Sequence, residues 1–423
     1  MIDFDLLRHE PERLQAELKK RFITDIDLAE LTRLDEERRS SIAKLEAQQA
    51  EHKKQSESIA VQRGLKRAGS IKKAKKLAIE IKDLERAAQD ATQAFIKIAA
   101  LLPNLSHESV PAGKTSVDNR VEAVHGEQPH FDFPVKPHWQ LAEQLGGLDS
   151  KRGARLAGSR FHYIQGDLVY LQFALLRFAM DELTQHGFVP MLTPVMVKEE
   201  ALYGAGTFPI DTSEVYKLES DPLYLTGTSE IALLNYHAHE TIEVEESPQR
   251  FMGYSTNFRR EAGAYGKDIK GLIRQHQFDK LELFIFVSQE QSWDFFEKEL
   301  LTICEGLMLK LGLHFRRVTL SSGDLPRKFQ KTYDLETWLP SEQRYLETHS
   351  ISHAGDFQAR RLGIKYKTAT GQRRYVHTLN ATGFAFSRMP VVILENFQQA
   401  DGRVKIPEVL QPYLHNRALL GQK

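Results

Sequence analysis

Charged and aromatic side chains flank a loop that contains glycines, near the middle of the chain. Arg259 and Glu261 precede the loop, whereas Arg274, His276 and Phe278 follow it. Both flanking segments have strand character, so each set is predicted to share one strand face, because alternate residues of a strand point the same way. A sheet holds such groups more rigidly than a loop does, and they can position and neutralise a charged ligand. A glycine-containing loop alone would be a weak signal, since most such loops are connections.

The strand predicted after this loop alternates between two kinds of residue. One face carries Leu281, Leu283, Ile285 and Val287, and the other carries Glu282, Phe284 and Phe286. A glutamate beside two phenylalanines is unusual unless it is paired or faces a ligand. Glu282 is therefore a further candidate for ligand contact.

Length and composition limit the class of protein. The 423 residues suffice for two or three domains, and 41% hydrophobic with 27% charged residues is ordinary for a globular protein. The single cysteine, Cys304, excludes a disulfide framework and favours a reducing, cytoplasmic compartment. No targeting peptide is recognisable, and no apolar run approaches the ~20 residues of a membrane span. The formal net charge of zero means that any nucleic acid must meet a local basic patch.

The first hundred residues predict an arm made of two long helices. Apolar residues recur at alternating spacings of three and four, at Ala74, Leu77, Ile81, Leu84, Ala88, Ala91, Phe95 and Ile98. That spacing predicts an antiparallel two-helix coiled coil over about residues 27–100, with a turn near Gly64 to Gly69. At 1.5 Å per residue, each helix is on the order of 50 Å long.

The predicted tip of this arm is strongly basic. Seven cations lie there without an intervening acid: Arg63, Lys66, Arg67, Lys72, Lys73, Lys75 and Lys76. They are either a solvated helix end or a surface that follows phosphates and reads shape rather than sequence.

Prolines then mark a change of organisation. Residues 104–138 lack periodicity and are predicted to be a linker between the arm, residues 1–103, and a domain at 139–423. That domain opens with a helix carrying Leu168, Leu171, Leu175 and Met180, followed by a strand from Phe188 to Val197 that Pro190 and Pro194 interrupt.

The run FRREAG followed by GLIRQHQFDKLEL resembles motif 2 of a class II aminoacyl-tRNA synthetase, in the form seen in bacterial-type seryl-tRNA synthetases. The helix and strand around Pro190 resemble motif 1, and HTLNATGFAFSR resembles motif 3. The resemblance covers essentially the whole chain. It implies an α+β fold, with an antiparallel sheet flanked by helices after the coiled coil. No P-loop motif is present, so the nucleotide is not expected to be held as in P-loop enzymes.

The resemblance implies an ATP-dependent ligase. L-Serine would react with ATP and Mg²⁺ to give seryl-adenylate, and serine would pass to the 3′ end of tRNA(Ser). A homodimer is implied through motif 1. The alternative is a paralogue or decayed homologue that binds RNA without charging tRNA. Whether a selenocysteine tRNA, tRNA(Sec), is also a substrate stays open.

The family's ATP site transfers to this sequence by position. Its residues correspond to Arg259, Arg260, Glu261, Phe278, Glu347, Thr348, His349, Ser350 and Arg388. Arg259, Glu261 and Arg388 correspond to the catalytic set, while Glu347 and Ser350 would hold Mg²⁺ through ATP. The sequence departs from the common family pattern at Thr348, His349, Ile351, His353 and Ser387.

The family's serine pocket corresponds to Thr228, Ser229, Glu230, Arg259, Glu282, Asn380 and Thr382. Taken alone, Thr228 to Glu230 would read as a simple helix N-cap. The sequence does not decide which of Glu230 and Glu282 binds the ammonium and which the hydroxyl. For tRNA, the resemblance implies the basic arm tip together with Lys267 and Lys270 of the motif 2 loop.

Overall fold

The computed structural model describes residues 1–61, 63–262 and 270–421, and the chain divides into two compact units. One unit is Asp3–Pro103, and the other is Asn104–Lys423 together with Met1–Ile2. Within the described ranges, no helix combines the length and apolar character needed to cross a membrane.

In its described residues, 3–61 and 63–103, the smaller unit has four helices. They are α1 (Asp5–His9), α2 (Pro11–Lys20), α3 (Leu28–Val61) and α4 (Gly64–Ala99). Leu77, Ala88, Ala91 and Phe95 of the predicted seam are buried, and α3 packs along α4, which confirms the coiled coil. The predicted turn was too long, because α4 already begins at Gly64 and so includes Gly69.

A buried aspartate fixes the base of this arm. Asp35 is 1% exposed and accepts hydrogen bonds from Arg8 (2.8 Å) and Arg38 (2.7 Å). Burial alone would raise the pKa of Asp35, but these guanidinium groups more than reverse the effect and lower it to about 2.

An eight-stranded sheet forms the centre of the larger unit. Its strands are β1 (Arg120–His125), β2 (Val189–Leu192), β3 (Gln249–Phe258), β4 (Gln277–Val287), β5 (Phe315–Thr319), β6 (Lys331–Leu339), β7 (Arg344–Gly355) and β8 (His377–Ala385). The spatial order is β1-β5-β6-β7-β8-β4-β3-β2. All neighbours are antiparallel except β2 and β3, which are parallel.

Helices cover this sheet. They are α5 (His138–Gln144), α6 (Ser150–Ala157), α7 (Asp167–Gln185), α8 (Glu199–Ala205), α9 (Glu230–Asn235), α10 (Leu301–Lys310, continuing Ser292–Asp294 and a π-helical Phe295–Leu300), α11 (Phe357–Leu362) and α12 (Met389–Asn396). Leu283 and Ile285 of β4 join one hydrophobic core, whereas Phe284 and Phe286 join another, as the alternation predicts. The α+β prediction is confirmed.

Two sequence predictions need correction here. Residues 104–138 are more than a linker, because Arg120–His125 pairs with β5 as an edge strand of the sheet. The strand predicted from Phe188 to Val197 is split: Val189–Leu192 joins the large sheet, and Met196–Val197 pairs separately with Tyr224–Leu225. Pro194 lies between the two pieces and cannot donate to a ladder.

Candidate active site

Four adjacent strands, β3, β4, β8 and β7, have one of their ends along the same border of the sheet, which is called its edge here. The antiparallel register places the end of β3 beside the start of β4, and Lys280 of β4 opposite Ala385 at the end of β8. Glu347 lies near the start of β7, the next strand along. This edge therefore carries Arg259, Phe278, Arg388 and Glu347. The four strands together are about 14 Å wide, at ~4.8 Å between neighbouring strands.

Arg388 and Glu347 are in direct contact. Nη1 of Arg388 donates to the Glu347 carbonyl oxygen at 2.8 Å and lies 3.2 Å from its Oε1. Both side chains are partly exposed, at 22% and 45%. Because a guanidinium has five N–H donors, this contact fixes Arg388 and leaves donors for a phosphate group.

A bulge in β7 brings Glu347 and Ser350 to one face. Ser350 pairs with Asp334 and Glu347 with Glu336, so Thr348 is the extra residue between them. Asp334 and Glu336 are two apart on a regular strand and share a face. In an unbroken strand, Glu347 and Ser350 would point to opposite sides.

Asp334 lies beneath this pair. It is 8% exposed, and its Oδ1 has no hydrogen-bond partner. Burial and the neighbouring carboxylates of Glu347 and Glu336 raise the pKa of Asp334 well above its ordinary value. An exposed carboxylate, a hydroxyl and an orphaned buried carboxylate oxygen form an oxygen-only donor set, which fits a hard cation such as Mg²⁺.

The bulge turns Thr348 and His349 away from this face. Thr348 bonds to Thr337 at 2.9 Å, and His349 is fully buried with its ring 5.7 Å from that of Phe384. Burial lowers the pKa of His349 to about 4. Because both side chains are enclosed in the core, ATP binding at Thr348 and His349, which stays a prediction, would fall to their backbone groups.

The base of the motif 2 loop differs from the prediction. Arg259 and Glu261 lie beyond the end of β3 and not on a strand face, and Glu261 has a left-handed φ of 50° that breaks the alternation. Hydrogen bonds still join the two segments beyond the paired strands. Arg274 Nη1 donates to Glu261 Oε2 at 2.9 Å, and the Arg259 N–H donates to the His276 carbonyl at 3.0 Å.

Arg259 points back over the sheet. Its guanidinium lies 5.3 Å from the ring centre of Phe278, and its Nε donates to the Gly227 carbonyl at 3.2 Å. Arg260 instead faces the ring of Tyr216 at 5.7 Å.

Of the two loop lysines predicted to contact tRNA, the structure describes only Lys270. Lys270 lies 4.9 Å from the ring centre of Trp139, and Lys267 falls outside the described residues.

A second cluster occupies the same face of the sheet, deeper along the strands. Thr382 is paired across from Glu282, and Asn380 is on the same face of β8. Glu282 is 3% exposed and forms an ion pair with Lys280, which is 7% exposed. Burial raises the pKa of Glu282 and lowers that of Lys280, and their mutual attraction opposes both shifts.

Glu230 enters this cluster from the first turn of α9. Its Oε1 accepts from Lys328 Nζ at 2.7 Å and from Gln358 Nε2 at 2.7 Å, and its Oε2 lies 2.9 Å from the same Nζ. Thr228 Oγ1 accepts the Glu230 N–H at 3.2 Å. Ser229 must be withdrawn from the predicted pocket: it is fully buried, and its hydroxyl donates to the Gly253 carbonyl at 2.9 Å.

Sequence reasoning missed three of these polar residues. Lys280 could have been found, because it lies two positions before Glu282 on the same strand face. Lys328 and Gln358 gave no such signal, since they reach Glu230 from elements 98 and 128 residues away.

The seven cations at the arm tip are all exposed. Lys73 and Lys76 lie 3.9 Å and 3.6 Å from Glu51 and Glu80, in exposed pairs that hold them weakly. This part of the arm therefore presents positive charge to solvent.

Comparison with known proteins follows the same division of the chain. Residues 215–397 match the model of the tRNA synthetase class II core domain (G, H, P, S and T). Residues 1–106 match the seryl-tRNA synthetase N-terminal domain. Fold and site together define a class II aminoacyl-tRNA synthetase.

Full-length relatives show which family of class II synthetases the chain belongs to. The chain is 39% identical to a serine–tRNA ligase of Deinococcus radiodurans, covering 100% of this chain and 99% of the relative. It is 42% identical to one of Oleidesulfovibrio alaskensis, with 99% of each covered. The crystal structure of seryl-tRNA synthetase from Pyrococcus horikoshii complexed with ATP superposes with a TM-score of 0.89 at 34% identity, over 99% of both chains. The chain belongs to the seryl-tRNA synthetase family.

Proposed function

We propose that this chain is an ATP-dependent ligase that activates L-serine and transfers it to the 3′ end of tRNA(Ser). The observation that carries the proposal is the meeting of Arg259, Phe278, Glu347 and Arg388 at one sheet edge. It occurs in a chain about 40% identical, over its whole length, to serine–tRNA ligases.

In the first step, the serine carboxylate oxygen attacks the α-phosphorus of ATP. A new P–O bond forms, the bond to the β-phosphate oxygen breaks, and pyrophosphate leaves with the electron pair. No side chain need bond covalently, so positioning and charge neutralisation carry the rate. We assign Arg259 to the α-phosphate and serine carboxylate, and Arg388 to the γ-phosphate. Phe278 offers a ring face for adenine.

Glu347 and Ser350 would hold Mg²⁺, which neutralises phosphate charge when bound. Glu261 keeps its place beside the adenine in this proposal, with Arg274 fixing its carboxylate. Arg260 is assigned a supporting role in the ATP site.

In the second step, the terminal ribose hydroxyl of tRNA attacks the adenylate carbonyl, and AMP leaves. The basic arm tip would bind the tRNA backbone, and Lys270 and Lys267 would contact its acceptor end. Asn380, Thr382 and Glu282 would surround the serine side chain, because buried acceptors reject an amino acid that lacks the hydroxyl.

A homodimer is part of the proposal. Val189 and Leu192 of edge strand β2 and the nearby Met196 are 53%, 85% and 52% exposed, which supports a protein partner at this edge. A cytoplasmic location and the use of tRNA(Sec) stay predictions.

Serine-dependent exchange of pyrophosphate into ATP, followed by charging of tRNA(Ser), tests the proposal. We expect both activities. Exchange with glycine or alanine but without charging would favour a paralogue, and loss of all exchange would favour a decayed homologue that only binds RNA.

A further inference from the structure

One pocket carboxylate already has an ammonium partner within the chain. Lys328 Nζ lies 2.7 Å and 2.9 Å from the two oxygens of Glu230, and Gln358 bonds to one of them. Gln358 is itself fixed by Thr378, whose hydroxyl donates to Gln358 Oε1 at 2.7 Å. A carboxylate has about four acceptor positions, and three are used here.

Glu282, the other pocket carboxylate, has a different kind of lysine partner. Lys280 is 7% exposed and lies two positions before Glu282 on the same face of β4, so its buried ammonium has little room to move away from Glu282. Lys328 belongs to the loop between β5 and β6, and its side chain is 16% exposed. A flexible four-carbon stem on a loop can move its ammonium away at small cost.

The substrate brings an ammonium group of its own to this cluster. Two ammonium groups cannot both take the same face of one carboxylate, because they repel each other and need the same lone pairs.

We propose that Lys328 competes with the α-ammonium of serine for Glu230, and thereby sets the affinity of the enzyme for serine. This inference rests on the proposed function. Lys328 keeps the buried Glu230 paired when the pocket holds no amino acid, and withdraws when serine binds. It is a positioning residue that acts through Glu230 and does not touch the reacting atoms.

The proposal predicts that removing Lys328 strengthens serine binding. If Lys328 only held Glu230 in place, its removal would weaken serine binding. If it competes, its removal leaves a buried carboxylate without a cation, and serine gains more by supplying one.

The test is calorimetric titration of serine into the full-length protein with Lys328→Met, which keeps the apolar stem. We expect the Kd for serine to fall about fivefold or more, as for one charge-assisted hydrogen bond. Serine should also raise the melting temperature more in this variant than in the unaltered protein. The KM for serine should fall while kcat and the KM for ATP stay within about twofold.

Two further variants keep the test decisive. Lys328→Arg retains a cation and should bind serine as the unaltered protein does. Lys331→Met removes a lysine that pairs with Glu297 at 2.8 Å, outside the pocket, and should cost stability without changing the Kd for serine. An unchanged or higher Kd in Lys328→Met overturns the inference, and so does a Lys331→Met variant that binds serine equally tightly. If the unaltered protein fails to bind serine at all, the proposed function itself is wrong.

Discussion

Replacing Arg388 with methionine separates catalysis from folding at this site. The contact of Arg388 with Glu347 is partly exposed on both sides, at 22% and 45%, so its loss should cost at most about 1 kcal/mol of unfolding free energy. For a unit of this size, that lowers the melting temperature by no more than about 4 °C. If Arg388 donates to the γ-phosphate in the transition state, losing it should reduce kcat by about 10²–10³, as for other lost electrostatic donors.

The assay is serine-dependent ATP–pyrophosphate exchange, run beside thermal unfolding on the same preparations. Arg374→Met is the matched control, because Arg374 also forms a partly exposed ion pair, with Glu290, and lies on the short strand Arg373–Tyr375 outside the large sheet. It should leave exchange unchanged. A loss below about tenfold in Arg388→Met, with the protein folded, would refute the assignment of Arg388 to the triphosphate.

Three further perturbations test other parts of the molecule. Glu347→Gln should raise the Mg²⁺ concentration needed for half-maximal exchange about tenfold or more, because a neutral amide binds the ion less well than a carboxylate. An unchanged Mg²⁺ dependence would remove Glu347 from the proposed metal site. Burial lowers the pKa of His349 from 6.5 to about 4 in the folded protein, so between these pH values the unfolded chain binds a proton that the folded protein does not. The free energy of unfolding should therefore fall by about 1.4 kcal/mol for each pH unit from 6.5 down to 4. Urea unfolding of His349→Leu should show a shallower pH dependence, and an equal slope in both proteins would contradict this. Alanine at Arg63, Lys66 and Arg67 together should weaken tRNA binding and flatten its salt dependence while sparing exchange, and equal losses in both assays would argue against a tRNA-binding tip.

The fold was largely predictable, because its main signals are periodic. Heptad spacing gave the arm, and the alternation around Phe284 and Phe286 gave a strand that is buried on both faces. The prediction failed where the backbone leaves these periods. Alternation extended past Phe258 predicts that Glu261 lies on a strand face, but the strand ends at Phe258 and Glu261 has a left-handed conformation.

The candidate site was predictable in its main residues and not in their partners. Motif positions point to Arg259, Glu282 and Arg388, since these residues are read from local sequence. The lysine at Glu230 could not be foreseen, because no local pattern connects positions 98 residues apart. Pairing of this kind is decided by how loops pack over the sheet, which sequence periodicity does not describe.

The bulge at Thr348 means that the sequence spacing of two proposed cation ligands can itself reveal irregular backbone. Closing the bulge while keeping Thr348 in the ladder would turn Glu347 and Ser350 to opposite faces and separate the two proposed cation ligands, whereas deleting Thr348 would leave them two positions apart on one face. Wherever two oxygen donors three positions apart serve one ion from within a strand, an inserted residue must lie between them.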